Sequence, residues 1–213
     1  MFKLHGYFRS SASYRTRIAL NMKGLVYEQV SVHLARGVQY TPEFSEVNPQ
    51  NLVPVLERDR LRLYQSLAII EYLEETFPQP ALLPTEPAAR ARVRSLALIS
   101  GCEIHPLNNT RVLGYLTQTL KLSDQQKEDW YRHWVIVGFE ALEKRLASER
   151  ETGRFSHGDT PGFADIFLVP QVANANRFKV DLQPFPNIRR INENCLAVDA
   201  FIKAMPQNQP DAE

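Results

Sequence analysis

Prolines 78, 80 and 84 follow closely on Phe77, and the chain reads differently on either side of them. Proline lacks a backbone donor and clashes with the preceding helical turn, so this stretch is a poor helix and a good linker. Before it, strand-like and helix-like spacings alternate. From about Glu86 onward the pattern is helical almost throughout. That shift points to two domains, over 1–80 and 86–213. A chain of 213 residues with 44% hydrophobic content can bury one sizeable core or two modest ones.

In the first half, Phe2 to Tyr7 alternates like a strand, and Ser10 to Met22 carries helical spacing at Tyr14, Ile18 and Leu20. Ser10 and Ser11 can cap that helix, and Gly24 ends it. Leu25 to His33 reads as a second strand, Thr41 to Val47 as a short helix, and Val53 to Glu57 with Leu61 to Tyr64 as paired strands. Ser66 opens a helix whose Leu67, Ile70, Leu73 and Phe77 share one face, with Glu71, Glu74 and Glu75 largely elsewhere. This order implies a small mixed α/β sheet with helices packed on it.

In the second half, Ala88 to Leu120 supports one or two long helices, and Trp130, Trp134, Val137 and Leu142 mark another. Gly162 begins a further helix containing Pro170, a last short helix runs through Ile188, Ile191 and Leu196, and 206–213 reads as a frayed tail.

Lys plus Arg number 25 against 24 for Asp plus Glu, a net charge of +1 that gives no general field for nucleic acid or an anionic membrane. Any anion site must be local. No apolar run resembles a signal peptide or membrane span, so a cytoplasmic protein is expected. Cys102 and Cys195 lie far apart and outside any CxxC pattern, which suggests small core hydrophobes and neither a disulfide framework nor a metal site.

Three stretches carry chemistry. Arg9-Ser10-Ser11-Ala12-Ser13-Tyr14-Arg15 joins a strand to a helix, and capping alone accounts for its serines. The same helix start can hold a thiolate. Lowering a thiol pKa of about 8.5 by roughly two units requires about 2.7 kcal/mol. A helix end supplies roughly 0.3 to 1 kcal/mol, up to about 2 when partly buried. A hydrogen bond to a charged acceptor adds about 1.5 to 3 kcal/mol, so helix and hydroxyl together suffice. The second stretch is Asn48-Pro49-Gln50-Asn51-Leu52-Val53-Pro54. Trans is the default for its Val-Pro bond; a cis bond would expose the Val53 backbone to an extended ligand. In the third, Gln65-Ser66 opens a helix that can take a carboxylate, although capping again explains it adequately.

Together, Tyr7-Phe8-Arg9-Ser10-Ser11 with Arg15-Thr16-Arg17-Ile18-Ala19-Leu20, Asn48-Pro49 with Leu52-Val53-Pro54, and the run from Gln65 to Glu75 resemble the signature of zeta-class glutathione transferases. That family includes maleylacetoacetate isomerase. Val169 to Leu182 is similar to the family's late helix, and Gly101 to Asn109 to the first helix of its second domain. The resemblance covers nearly the whole chain and implies an α/β thioredoxin-like N-terminal domain, an all-α C-terminal domain and a homodimer.

It further implies that Ser11 faces the sulfur of glutathione, with Ser10 supporting the helix end. Val53 would pair with the cysteinyl part, Pro54 would be cis, Gln65 and Ser66 would hold the γ-glutamyl group, and His105 and Asn109 would lie near glutathione. Three departures stand out. Ala12 occupies the usual cysteine position, so no protein thiol is essential; Tyr14 replaces a common tryptophan, and Gly162 a Ser or Thr. The implied activity is isomerisation of maleylacetoacetate to fumarylacetoacetate, in which a thiolate adds, the former double bond rotates, and the thiolate leaves. Rival readings are maleylpyruvate as the substrate, a general transferase or dehalogenase, and a non-catalytic binding protein, the last disfavoured by intact Ser11, Gln65 and Ser66. A maleyl keto acid has two carboxylates, which suit the planar fork of arginine, and Arg9, Arg111 and Arg177 are the candidate holders.

Overall fold

Strands β1 (Phe2–Gly6) and β2 (Tyr27–Ser31) pair in parallel, which requires a crossover, and helix α1 (Ser11–Met22) supplies it. The computed structural model describes all 213 residues. Two short 3-10 turns and helix α2 (Pro42–Val47) lead to β3 (Val55–Arg58), which runs antiparallel to β1 with Leu56 opposite Leu4. β4 (Leu61–Tyr64) folds back on β3, giving a four-stranded sheet in the order β2-β1-β3-β4. Helix α3 (Ser66–Thr76) packs beside α1. Leu4, Ile18, Leu20, Leu56, Ile69 and Ile70 are almost fully buried. Each such side chain contributes about 1.5 to 3 kcal/mol by leaving water.

The α3 face differs from the expected one. Ile69 and Glu74 are buried with Ile70 and Leu73, and Leu67 is only half-buried. Glu74 is inside because Lys23 Nζ lies 2.6 Å from its Oε2, which also accepts the Leu82 N–H at 2.9 Å. Such a pair removes much of the penalty for an isolated buried charge.

The chain packs as two units, Met1–Leu82 with Leu196–Glu213, and Leu83–Cys195. The segment 196–213, expected to belong with the helices and to fray at its end, lies with the sheet. Its helix α9 (Asp199–Ala204) buries Phe201 and Ala204 completely and packs on α1. The buried Arg17 Nε donates to Ala204 O at 3.0 Å, and Asn21 Nδ2 donates to Ala200 O at 3.0 Å. Gln209, also buried, closes the following turn on Lys203 O and Met205 O.

The second unit is helical. The stretch expected to hold one or two long helices is broken into α4 (Pro87–Leu98), a π-helical turn over Ile99–Ile104, and α5 (Thr110–Gln118). The turn presses on α6 (Asp124–Ser148) so closely that a Cβ at Gly138 would fall 2.3 Å from Ile104 Cγ1. The buried face of α6 runs through Tyr131, Val135, Phe139, Leu142 and Leu146, whereas Val137, expected on that face, is exposed. Helix α7 (Phe163–Arg177) opens at Gly162 without a hydroxyl, and the buried Asp165 fixes the chain entering it by accepting Gly162 N–H at 2.8 Å and Ser156 N–H at 2.9 Å. Helix α8 (Pro186–Leu196) follows, its first turn capped by Glu143 Oε1 and Oε2, which accept the Asn187 and Ile188 N–H groups. Cys195 is a core residue with its thiol pKa raised by burial; Cys102, expected to be one, is exposed on the π-helical turn. No helix is long and apolar enough to cross a membrane.

Candidate active site

The turn Tyr7-Phe8-Arg9-Ser10 connects β1 to α1 and is closed by Ser10 N–H donating to Tyr7 O at 2.9 Å. Ser10 is the N-cap, its Oγ accepting the Ser13 N–H at 3.2 Å and its carbonyl the Tyr14 N–H at 2.8 Å. Ser11, the first helical residue, is buried. The helix starts close to the sheet because residue 6 is glycine: a Cβ there would meet Ser13 Oγ at 3.1 Å. The first turn of α1 has no acidic residue to compete for its positive end. Arg15 and Arg17 on the same helix are both buried, and Tyr14 has the Arg17 guanidinium 5.5 Å from its ring centre.

The loop before β3 is held by one side chain. Buried Asn48 donates Nδ2 to Leu52 O at 2.7 Å and accepts the Gln50 N–H on Oδ1 at 3.0 Å. The Val53-Pro54 bond is cis. Val53 packs its side chain on Val32, Phe44 and Val55. Gln65, the residue before α3, has φ 67, a left-handed conformation that costs a non-glycine residue energy and recurs where a ligand is clamped. Its side chain makes no cap bond and reaches Gln50 Oε1 at 2.9 Å, while Ser66 is buried at the helix start. Helix α3 therefore begins with its amide edge uncapped by Gln65 and no acidic residue in its first turn, suited to a carboxylate.

In the second unit, His105 caps the π-helical turn, its N–H bonded to Ser100 O at 3.1 Å. Asn109 is the N-cap of α5, and its Oδ1 is engaged by the Arg111 N–H at 3.1 Å, which leaves the amide nitrogen as its outward donor. Both neighbours of this segment come from α6. Trp130 Nε1 donates to Leu107 O at 3.0 Å, and Asn108 Nδ2 donates to Tyr131 O at 3.2 Å. Phe178 stacks on Tyr131 with centroids 3.5 Å apart, and Arg177 lies 5.6 Å from the Phe178 ring centre. Burial raises the Tyr131 phenol pKa and the Arg177 charge opposes it. The 105–111 segment and Arg177 thus meet the same stretch of α6. Arg9 belongs to the other unit, with its guanidinium 4.8 Å from the Phe8 ring centre, and Arg9, Arg111 and Arg177 are all exposed.

A cavity of about 410 Å3 in the second unit is lined by Ile136, Glu140, Glu143, Lys144, Asp181, Pro184 and Phe185, none of them a candidate residue. Sequence reading gave no role to Asn48, Gln50, Arg17 or Asp211. Asn48, Gln50 and Arg17 fall inside the stretches singled out above, whereas nothing local marks Asp211.

Family models match along both halves: the glutathione S-transferase N-terminal domain over residues 4–81 and the C-terminal domain over 135–191. A probable maleylacetoacetate isomerase of Vibrio cholerae is 49% identical across 98% of this chain and 97% of its own. Among solved structures, a holo maleylpyruvate isomerase described as a bacterial zeta-class glutathione S-transferase superposes with a TM-score of 0.98 at 48% identity, covering 99% of this chain and 100% of that one. A maleylacetoacetate isomerase of Methylobacterium extorquens AM1, with malonate and glutathione bound, superposes with a TM-score of 0.96 at 43% identity over 99% of each chain. Family models along both halves and full-length likeness to these relatives agree: the chain belongs to the zeta class of the glutathione transferase family.

Proposed function

We propose that the protein catalyses glutathione-dependent cis-trans isomerisation of a maleyl keto acid, maleylacetoacetate to fumarylacetoacetate foremost. The observation that carries this reading is full-length identity of 43% to 49% with relatives named for it. The chain's own residues fit the cofactor: two helix starts without acidic residues, one capped by Ser10 and one opened by Gln65 and buried Ser66, offer places for a thiolate and for a carboxylate.

When bound, glutathione supplies a thiolate that adds to one alkene carbon, leaves that bond single and free to rotate, and departs unconsumed. Ser11 donates its hydroxyl to the sulfur, and the positive end of α1 adds to the stabilisation of the ionised form. Ser10 keeps that helix end in place. The Val53 backbone, placed by Asn48 and cis Pro54, pairs with the cysteinyl portion, and Gln65 with Ser66 holds the γ-glutamyl group. His105 and the Asn109 amide are further glutathione contacts. Arg9, Arg111 and Arg177 are assigned to the substrate carboxylates. The reading also includes a homodimer, as the family resemblance implies, and a cytoplasmic location.

The likeness to the zeta-class maleylpyruvate isomerase favours a second reading, the same chemistry on maleylpyruvate. Steady-state turnover of both acids at saturating glutathione separates the two. A higher kcat/KM for maleylacetoacetate is expected; the reverse order assigns the second substrate, and no turnover of either removes the proposal.

A further inference from the structure

The sulfur-side turn is bonded from below by Arg17 and from the side by a residue far away in sequence. The Arg17 guanidinium, fully buried, donates to Phe8 O at 3.1 Å, to Tyr7 O at 3.4 Å and to Ala204 O at 3.0 Å. The remaining inner polar group of the turn, the Phe8 N–H, donates to Asp211 Oδ2 at 3.1 Å. Asp211 is itself fixed: Gln29 Nε2 donates to Oδ1 at 2.6 Å and Ser31 Oγ to Oδ2 at 3.2 Å, both from β2. Two residues on, Glu213 pairs with Arg36 and His33. A carboxylate thus spans β2 and the β1–α1 turn.

We infer that Asp211 is a positioning residue for the sulfur-binding turn, its carboxylate holding the Phe8 amide and so the direction in which Ser10 and Ser11 face. The inference rests on the reading that Ser11 faces the glutathione sulfur. Its physical basis is the short lever involved. Phe8 lies two residues before the N-cap, and the turn's own closing bond, Ser10 N–H to Tyr7 O, shares its acceptor with Arg17. The Tyr7–Phe8 peptide is held on both sides, its carbonyl by Ser10 N–H and Arg17 and its N–H by Asp211, so losing Asp211 frees one side of the unit that leads into the turn. Asp211 also supplies negative charge near Arg17, whose pKa burial lowers to about 10 while Tyr27, Asp211 and Tyr14 oppose the fall. The hydrogen bonds of Asp211 run to Phe8, Gln29 and Ser31, residues with no assigned contact to glutathione or substrate, so its effect is carried through the turn. A displaced turn weakens a preorganised donor set, and displacements of order 1 Å in such sets cost up to about 100-fold in rate.

The test compares Asp211→Ala, Asp211→Asn and Ser11→Ala with the parent. Amide hydrogen exchange of residues 7–12 is followed without glutathione, and the thiol pKa of bound glutathione by its ultraviolet thiolate absorbance. In Asp211→Ala, exchange is expected to quicken by about tenfold, the thiol pKa to rise by about half a unit or more, and kcat to fall by about tenfold. Asp211→Asn keeps an acceptor for the Phe8 N–H and is expected to be intermediate in all three, so it carries the test if the alanine variant does not fold. Unchanged exchange and thiol pKa in the Asp211 variants, even with a lowered melting temperature, overturn the inference and leave a structural tether. A raised thiol pKa in Ser11→Ala alone overturns only the role of Asp211. An unmoved thiol pKa in all variants overturns the placement of sulfur at Ser11 and this inference with it.

Discussion

In the proposed site, removing the Ser11 hydroxyl takes one charge-assisted donor from the thiolate, a contact of about 1.5 to 3 kcal/mol, so Ser11→Ala should lower kcat/KM by roughly 10- to 150-fold. Because the donor favours the ionised form, its loss raises the thiol pKa, and the acidic limb of the pH–rate profile should move to higher pH. Parental activity with an unmoved limb would assign the sulfur elsewhere. With Gln65 and Ser66 proposed at the remote γ-glutamyl end, Gln65→Ala and Ser66→Ala should weaken glutathione affinity more than kcat, which calorimetry alongside saturation kinetics would show. Arg→Met at 9, 111 and 177 should, in at least one case, lower kcat/KM by roughly 10- to 150-fold with glutathione affinity nearly unchanged. Near-normal isomerisation in all three would place the substrate carboxylates elsewhere. At this scale the residues proposed to touch glutathione and substrate were legible as candidates because serine, glutamine and arginine advertise their chemistry. The residues that hold the backbone were not: Asn48 acts by two bonds to a loop, and Asp211 by one amide more than 200 positions away.

At the scale of elements, strands and caps were legible wherever local chemistry decides them. Ser10, Thr41 and Ser66 open helices as expected, β4 matches the run proposed for it, and β3 starts two residues into its proposed run and ends one residue beyond it. What escaped was decided by tertiary partners. Glu74 reads as a surface acid until Lys23 is placed beside it, and the break in Ala88–Leu120 reflects the fit of Ile104 against Gly138. The end of α6 offers a measurable example. Glu149 accepts Arg92 Nε and Arg145 Nε at 2.6 Å each, tying α4 to α6. Burial tends to raise the Glu149 pKa, but the two arginines outweigh it and the net shift is downward. A carboxyl with a lowered folded pKa contributes stability above its unfolded value of about 4.3 and loses it as pH falls through the folded one. Glu149→Gln should therefore cost about 1 to 2 kcal/mol at pH 7 in denaturant titrations, a gap that closes as pH falls below about 4. A gap unchanged from pH 7 to pH 3 would show that the ion pairs contribute nothing.

At the scale of the whole molecule, the change of periodicity across prolines 78, 80 and 84 announced two kinds of packing, and the chain does form two units that part at Leu82. Periodicity did not reveal that Leu196–Glu213 belongs with the sheet, because α9 is short and its docking depends on buried Arg17 and Asn21. In the proposed cycle the protein lends its residues to a thiolate that is returned after every turnover. Turnover of maleylacetoacetate under limiting glutathione tests this most directly, with the trans product and the remaining free glutathione measured together. Many molecules of fumarylacetoacetate per glutathione, with the glutathione recovered, is the expected result. Stoichiometric loss of glutathione into a stable thioether, or formation of the trans product at the same rate without it, would contradict the account.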